Sequence, residues 1–368
     1  MNNDKKYMRF AIHLAIKGAG KVNPNPLVGA VVVKEDRIIG MGYHEKYGEA
    51  HAERNALSNC VQSPEGAVLY VTLEPCCHYG KTPPCTDAII ESGIKKVVIG
   101  TLDSNEKVAG KGVETLQKAG IEVVIGLCEK ECMHINEIFF HYIKHNTPYV
   151  MMKYAMTLDG KISTVANKSK WITSALAREN VHIDRNKYSA IMVGVNTIIV
   201  DDSRLDCRIE NSRNPIRIIC DSNLRTPINS YVVQTADKIQ TIIVTTCLDQ
   251  DLYKPYIENN CEIITTSKKD GRVDLKELMQ ILGDKGIDSI ILEGGATLNF
   301  SAIQDQIVHK VQAYIAPKIF GGDTAKTPVG GSGFLEVDNG VKLINSKVSR
   351  FNEDILVESE VEYCLPEL

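Results

Sequence analysis

A chain of 368 residues is long for one domain and comfortable for two. Hydrophobic content of 43% and charge of 24% describe an ordinary globular protein, and a formal net charge of −4 argues against a surface that coats nucleic acid. Eleven cysteines without a spacing framework, no secretory leader and no apolar run of membrane-spanning length point to reduced thiols in a cytoplasmic protein.

Residues 5–19 predict a helix with Met8, Ile12, Ala15 and Ala19 on one face, ending at Gly18 and Gly20. A rigid loop, Val22-Asn23-Pro24-Asn25-Pro26-Leu27-Val28-Gly29, follows. Strands are expected at 30–34 and 37–42 around the turn Glu35-Asp36, then a helix opening at His51, an apolar strand over 67–73 and a helix over 86–92. A strand over 95–101, a helix over 112–119, a strand over 121–126 and a helix from about 131 to 144 complete the unit. This alternation predicts a three-layer α/β sandwich. The polar stretch His145-Asn146-Thr147-Pro148 breaks it, because the residue before a proline disfavours helix. A second α/β unit then begins, with strands expected at 149–155, 190–195, 216–220, 241–245, 262–266, 289–292 and 310–316, and helices near 174–186, 274–284 and 296–305.

The first half carries the clearest chemistry. His51-Ala52-Glu53 is followed by Pro75-Cys76-Cys77-His78-Tyr79-Gly80-Lys81-Thr82-Pro83-Pro84-Cys85. One imidazole and two thiols can hold a zinc ion with its fourth position open, and a carboxylate two residues after the His can move protons without ligating. His51 and Cys85 each stand at a helix start, where the positive helix end favours thiolate and hydroxide. A structural zinc knot, with Cys77 or His78 as a fourth ligand, is the alternative. The order His-x-Glu and then Pro-Cys to Pro-Cys favours a zinc deaminase.

In the second half, Glu293-Gly294-Gly295 sits at a strand-to-helix turn, where main-chain N–H groups can approach a phosphate. It is not the G-x-G-x-x-G fingerprint. Arg204 and Arg208 stand among acids in residues 201–208, and Lys153 lies on an apolar strand.

Taken together, Pro24-Asn25-Pro26-Leu27-Val28-Gly29, the His51 and Cys76–Cys85 segments, Met156-Thr157-Leu158-Asp159-Gly160-Lys161-Ile162, Ser169-Lys170-Trp171-Ile172-Thr173, Val193-Gly194-Val195-Asn196-Thr197, Asp201-Asp202 and Glu293-Gly294-Gly295 resemble one family. It is the bifunctional deaminase/reductase family of riboflavin biosynthesis, and the resemblance covers nearly the whole chain. The eight-residue spacer between Cys76 and Cys85 separates it from deaminases with Pro-Cys-x-x-Cys.

The resemblance implies an α/β fold, a cytidine-deaminase-like three-layer α/β/α domain over 1–145 and a dihydrofolate-reductase-like α/β domain over 146–368. It implies zinc on His51, Cys76 and Cys85, with Glu53 catalytic. Asn25, His44, His78, Lys81, Asp103 and Asn105 would bind the deaminase substrate, and Lys153, Ser169, Arg185, Leu205, Arg208 and Glu293 the reductase substrate. NADPH would meet Ala155, Trp171, Thr197, Asp201, Ser222 and the turn of Gly295, Ala296, Thr297, Leu298, Asn299, Phe300 and Ser301. The expected partners are a small phosphoribosyl-pyrimidine and further copies of the chain, as a dimer or tetramer, with neither nucleic acid nor membrane. Ser174 stands where the family more usually has glycine, Ser203 where it has proline and Cys77 where serine is common. Asp206 adds a negative charge near the expected phosphate site.

Overall fold

The computed structural model describes residues 2–80, 82–104 and 109–363. The chain forms two compact units, Met1–Asn146 and Thr147–Leu368.

The first unit runs α1 (Asn2–Ile16), β1 (Gly29–Lys34), β2 (Arg37–Tyr43), α2 (Ala52–Ser58), β3 (Val68–Leu73), α3 (Cys85–Glu91), β4 (Lys96–Thr101), α4 (Lys111–Lys118), β5 (Glu122–Ile125), α5 (Glu129–Ile135) and α6 (Glu137–His145). Its sheet has the order β2-β1-β3-β4-β5, antiparallel on either side of β1 and parallel from β3 to β5. Side chains alternate along β1. Ala30 and Val32 pack with Ala52, Ala56, Ile89 and Leu116 of α2, α3 and α4, while Val31 and Val33 pack with Met8, Ala11 and Cys132 of α1 and α5. These two cores make the three layers. Gly29 is demanded by the close helix, because a Cβ there would lie 2.0 Å from the Ala11 carbonyl oxygen. The parallel pair β3 and β4 ends in step at Leu73 and Thr101, so the loops after them emerge at one end of the sheet.

One expected element is broken. The helix anticipated over about 131–144 is two helices, interrupted at Asn136 with φ −115° and ψ 20°. The buried Asn136 side chain pairs outside its own helix, accepting from Leu27 N at 2.8 Å and donating to Leu27 O at 2.9 Å. An asparagine engaged in this way gives the backbone an alternative to the helix. Asn136→Ala therefore should destabilise the Pro24–Leu27 loop by about 1–2 kcal/mol. Hydrogen exchange of amides in residues 22–29 reads this directly, and unaltered protection would sink the assignment.

The second unit runs β6 (Tyr149–Thr157), α7 (Ala175–Lys187), β7 (Ala190–Gly194), α8 (Val195–Asp201), β8 (Ile216–Cys220), α9 (Tyr231–Gln234), β9 (Thr241–Thr245), α10 (Lys254–Glu258), β10 (Glu262–Thr265), β11 (Lys268–Lys269), β12 (Arg272–Val273), α11 (Leu275–Asp284), β13 (Ser289–Gly294), α12 (Ala296–Gln304), β14 (Lys310–Ala316), β15 (Lys342–Phe351) and β16 (Asp354–Glu362). The main sheet has nine strands in the order β10-β9-β8-β7-β13-β6-β14-β16-β15, parallel from β10 to β14 and antiparallel at β16 and β15. Ala190, Met192, Ile218 and Ile242 face one core, with Leu278 and Leu282 of α11. Ile191, Val193, Ile219 and Ile243 face the other, with Val232 and Tyr256.

The terminal hairpin β15/β16 was not expected from the sequence. Most of β15 is exposed, so it shows no apolar alternation to betray a strand. Ser174 explains its own departure: its hydroxyl caps α7 by accepting from Ala177 N at 3.3 Å.

Candidate active sites

In the first unit, three elements bring the metal-ligating side chains together. His51 is the N-cap of α2, Cys85 is the first residue of α3, and Cys76 lies in the loop after β3. His51 Nδ1 lies 3.5 Å from Cys76 Sγ and 3.4 Å from Cys85 Sγ, and all three donor atoms fall within 4.8 Å of one another. Zinc bonds of about 2.05 Å to nitrogen and about 2.3 Å to sulfur, at a tetrahedral angle, separate N from S by about 3.6 Å. The donor set fits zinc. Among the described residues neither Cys77 nor His78 joins the cluster, which leaves a fourth position for water rather than a fourth protein ligand.

The surroundings hold this arrangement. Arg54 donates to Pro84 O at 2.8 Å and Pro83 O at 3.3 Å, tying the start of α3 to α2. The Cys76 thiol is held well below its ordinary range, first by the Cys85 thiol hydrogen bond and then by His51 and the Cys85 main-chain N–H. Glu53 is buried at 3% exposure, and burial, with the Cys76 thiolate adding, raises its carboxyl to about 7. A bound dication would draw that value down again.

A cavity of about 320 Å³ opens on these groups and is lined by Asn25, His44, His51, Glu53, Cys76, His78 and Asp103, with Glu49, Phe139 and Tyr142. His44 Nδ1 faces Ala50 O at 3.1 Å, which assigns the ring proton to Nδ1. Its Nε2 then accepts from Asn25 Nδ2 at 3.2 Å, leaving Asn25 Oδ1 to accept from a ligand. Burial lowers the His44 pKa and keeps this ring neutral.

The second unit has two cavities of interest. The larger, about 470 Å³, is lined by Ser169, Thr197, Asp201, Ser222, Gly295, Ala296, Thr297, Leu298 and Ser301, among others. Gly294 and Gly295 have φ of 48° and 105°, left-handed values that favour glycine, and a Cβ on Gly295 would meet nothing within 4 Å. Thr197 Oγ1 donates to Gly294 O at 3.3 Å, and Ser169 Oγ to Asp201 Oδ1 at 3.1 Å. An open glycine turn at a helix start, in a cavity of this size, fits a dinucleotide with its diphosphate on the turn.

The smaller, about 160 Å³, gathers Lys153, Ala155, Thr173, Arg178, His182, Arg185, Arg208 and Tyr314. Arg185 and Glu293 form a bidentate pair, Nε to Oε1 at 2.8 Å and Nη2 to Oε2 at 2.9 Å, and Lys153 Nζ lies 3.5 Å from Glu293 Oε2. Burial alone would raise the Glu293 carboxyl, but Arg185 and Lys153 outweigh it and hold it at about 2. Arg208 pairs with Asp206 at 3.0 Å, so the extra acid noted in the sequence neutralises part of the charge there.

Comparison with known proteins accounts for both units. Residues 1–101 match the cytidine and deoxycytidylate deaminase zinc-binding region, and residues 148–357 match the RibD C-terminal domain. The chain is 51% identical over 355 residues to the riboflavin biosynthesis protein RibD of Actinobacillus pleuropneumoniae, covering 96% of this chain and 94% of that one. It is 39% identical to the RibD of Bacillus amyloliquefaciens, over 96% and 95%. The chain belongs to the RibD family. A crystal structure of the deaminase/reductase from Thermotoga maritima matches with a TM-score of 0.87 at 39% identity, covering 98% of this chain and 99% of that one. As a RibD family member the chain is a bifunctional deaminase and reductase of riboflavin biosynthesis, using zinc and NADPH.

Set against what the RibD resemblance implied, most expected residues converge and some do not. Lys81 and Asn105 lie outside the described residues. Ala155 lines the smaller cavity rather than the larger, and Ser169 the larger rather than the smaller. Asn299 and Phe300 face inward, because one helix cannot present seven consecutive residues to one side. Asn299 donates to Pro328 O at 2.9 Å and Phe300 packs edge-on to Phe334. Leu205 is buried among Ile198, Ile219 and Val232. Trp171 is 63% exposed and lines neither cavity; its ring carries the Arg178 guanidinium at 4.1 Å.

The sequence reading also missed residues that hold the RibD deaminase site in place. The buried Glu74 accepts from Asp103 N, Gly110 N, Gly112 N and Val113 N at 3.0–3.3 Å, anchoring the loop after β4. Asn55 donates to Tyr43 O at 2.8 Å at the start of α2. Both flank the motifs, Asn55 two residues after Glu53 and Glu74 just before Pro75, but neither has a chemistry that marks it from sequence.

Proposed function

We propose that the unit Met1–Asn146 deaminates 2,5-diamino-6-(5-phosphoribosylamino)pyrimidin-4-one. The unit Thr147–Leu368 then reduces the ribosyl group of the product to a ribityl chain, giving 5-amino-6-(5-phosphoribitylamino)uracil. The observation that carries this reading is Glu53 buried beside the His51, Cys76 and Cys85 donors within one ligand-sized cavity. Zinc on those three residues would supply Lewis acidity that makes a water available as nucleophile near neutral pH. Glu53 takes the proton of that water and passes it to the pyrimidine ring nitrogen; it then takes the proton of the newly added hydroxyl and delivers it to the amino group, which leaves as ammonia while the carbonyl forms. Asn25, His44, His78 and Asp103, with Lys81 and Asn105, hold the base and ribose phosphate.

In the second unit NADPH would supply the hydride. Thr197, Asp201, Ser222 and the turn residues Gly295, Ala296, Thr297, Leu298 and Ser301 hold that cofactor. Glu293 orients Arg185 and Lys153; Arg185 and Arg208 take the substrate phosphate, and Lys153 approaches the sugar carbon that accepts hydride. Ala155 borders the substrate cavity and Ser169 the cofactor cavity, while Leu205 packs in the core.

We infer a cytoplasmic homo-oligomer whose partners are small molecules rather than nucleic acid. Exposed apolar side chains in the second unit, Leu335 and Val337 at 95% and Ile319 at 75%, support self-association. No described helix is long and apolar enough to cross a membrane.

The experiment follows NADPH absorbance after mixing zinc-loaded protein with the diaminopyrimidine ribotide. Consumption that stops when zinc is stripped, and resumes on adding the deaminated ribotide, is the expected result. Equal consumption with and without zinc would overturn the order of the two steps.

A further inference from the structure

We propose that Arg225, beside Ser222, is the residue by which the second unit distinguishes a 2′-phosphorylated nicotinamide dinucleotide from its unphosphorylated counterpart. This rests on reading the 470 Å³ cavity as the cofactor site. That cavity runs along the carboxyl ends of three adjacent parallel strands, β13, β7 and β8. At the β13 end, Gly294 and Gly295 open α12 and present main-chain N–H groups suited to a diphosphate. The end of β8 lies two strand spacings away, about 10 Å, a span that an adenosine ribose attached to that diphosphate can bridge.

What β8 presents there decides which ribose fits. In dinucleotide-binding α/β sheets an acid near this place binds the 2′-hydroxyl, and an arginine accommodates a 2′-phosphate. The acid directly after β8 is Asp221, and it is turned inward. It is fully buried, and its Oδ2 accepts from Thr226 N at 2.6 Å and Thr226 Oγ1 at 2.7 Å. The cavity wall receives Ser222, Asn223 and Arg225 instead.

Arg225 keeps its charge free for a ligand. Its side chain meets the neutral Asn196 Oδ1 at 3.3 Å, and no carboxylate among the described residues pairs with it. Ser222 Oγ accepts from Val273 N at 3.2 Å, so its O–H remains to donate. The wall as a whole carries Arg225, Arg272 and Lys326 against a single carboxylate, Asp201. Arg272 stands next to Val273 in sequence, but its guanidinium is engaged by Ser301 Oγ of α12 at 3.4 Å, which turns it from Ser222 toward the helix that carries the diphosphate turn. The 2′-phosphate falls to Arg225.

Calorimetric titration of the full-length protein with NADPH, NADH and 2′,5′-ADP tests this apart from turnover. Arg225→Ala is expected to weaken NADPH and 2′,5′-ADP by roughly ten- to a hundred-fold while leaving NADH unchanged. Arg225→Lys should recover part of the loss, because the charge returns without the planar fork. Arg272→Ala should weaken NADPH and NADH by the same factor. An NADPH-to-NADH affinity ratio that survives Arg225→Ala, or that collapses in Arg272→Ala, overturns the assignment while leaving the cofactor site intact. Wild-type protein that binds neither dinucleotide overturns the reading of the cavity itself.

Discussion

Glu53→Gln is expected to retain one zinc per chain and to lose ammonia release by at least roughly 10⁴-fold, the upper range for a positioned acid–base group. Glutamine has nearly the same shape and leaves the His51, Cys76 and Cys85 cluster untouched. What it cannot do is exchange a proton. Glu53 is 3% exposed, so bulk water has poor access to replace it as a proton carrier. Metal analysis and an ammonia assay on the same sample check the two halves of the expectation. The second unit supplies a control, since reduction of the deaminated ribotide should proceed at the wild-type rate. Zinc-loaded Glu53→Gln protein that deaminates within tenfold of wild type would remove Glu53 from the chemistry.

Glu293→Gln should act on the other unit, in both stability and catalysis. The carboxyl is buried with Arg185 at 2.8 Å and Lys153 at 3.5 Å and is held at about 2, against an ordinary 4.5. A depression of this size corresponds to about 3 kcal/mol of stability at neutral pH. Because the folded value lies below the unfolded one, the contribution is complete above about pH 4.5 and is lost as pH falls through about 2. The stability gap between wild type and Glu293→Gln should therefore be widest at neutral pH and close across that acid window. Urea titrations followed through Trp171, the chain's single tryptophan and a residue of the second unit, measure it. Reductase kcat/KM should fall about a hundred-fold, because Arg185 and Lys153 lose the group that fixes them. A gap that stays constant from pH 7 to pH 3 would show that the charge on Glu293 contributes nothing to folding.

The resemblance read from the sequence and the family comparison agree on what the protein does, and the residues explain why. His51, Cys76 and Cys85 are rare types at a demanding spacing with Glu53 two residues from the histidine, and zinc chemistry tolerates few substitutes for them. The nine-stranded sheet was legible through seven apolar parallel strands, most of them buried on both faces. Its last hairpin was not, because β15 lies at an edge with most of its side chains in solvent. The helix over 131–144 was misjudged for a different reason: the apolar period continues through Asn136, and only the distant Leu27 backbone shows why the chain breaks there.

The sequence by itself determined the metal chemistry and the alternation of elements, since each depends on residue type or local period. Only the tertiary structure decided which carriers of charge face a ligand. Asp221 turned inward while Arg225 faced the larger cavity, Glu293 bound Arg185 across 108 residues of chain, and Asn299 and Phe300 turned away from a turn whose other members open onto that cavity. Those outcomes follow from burial and pairing between segments far apart in sequence, and a buried charge is tolerated only where such a partner arrives.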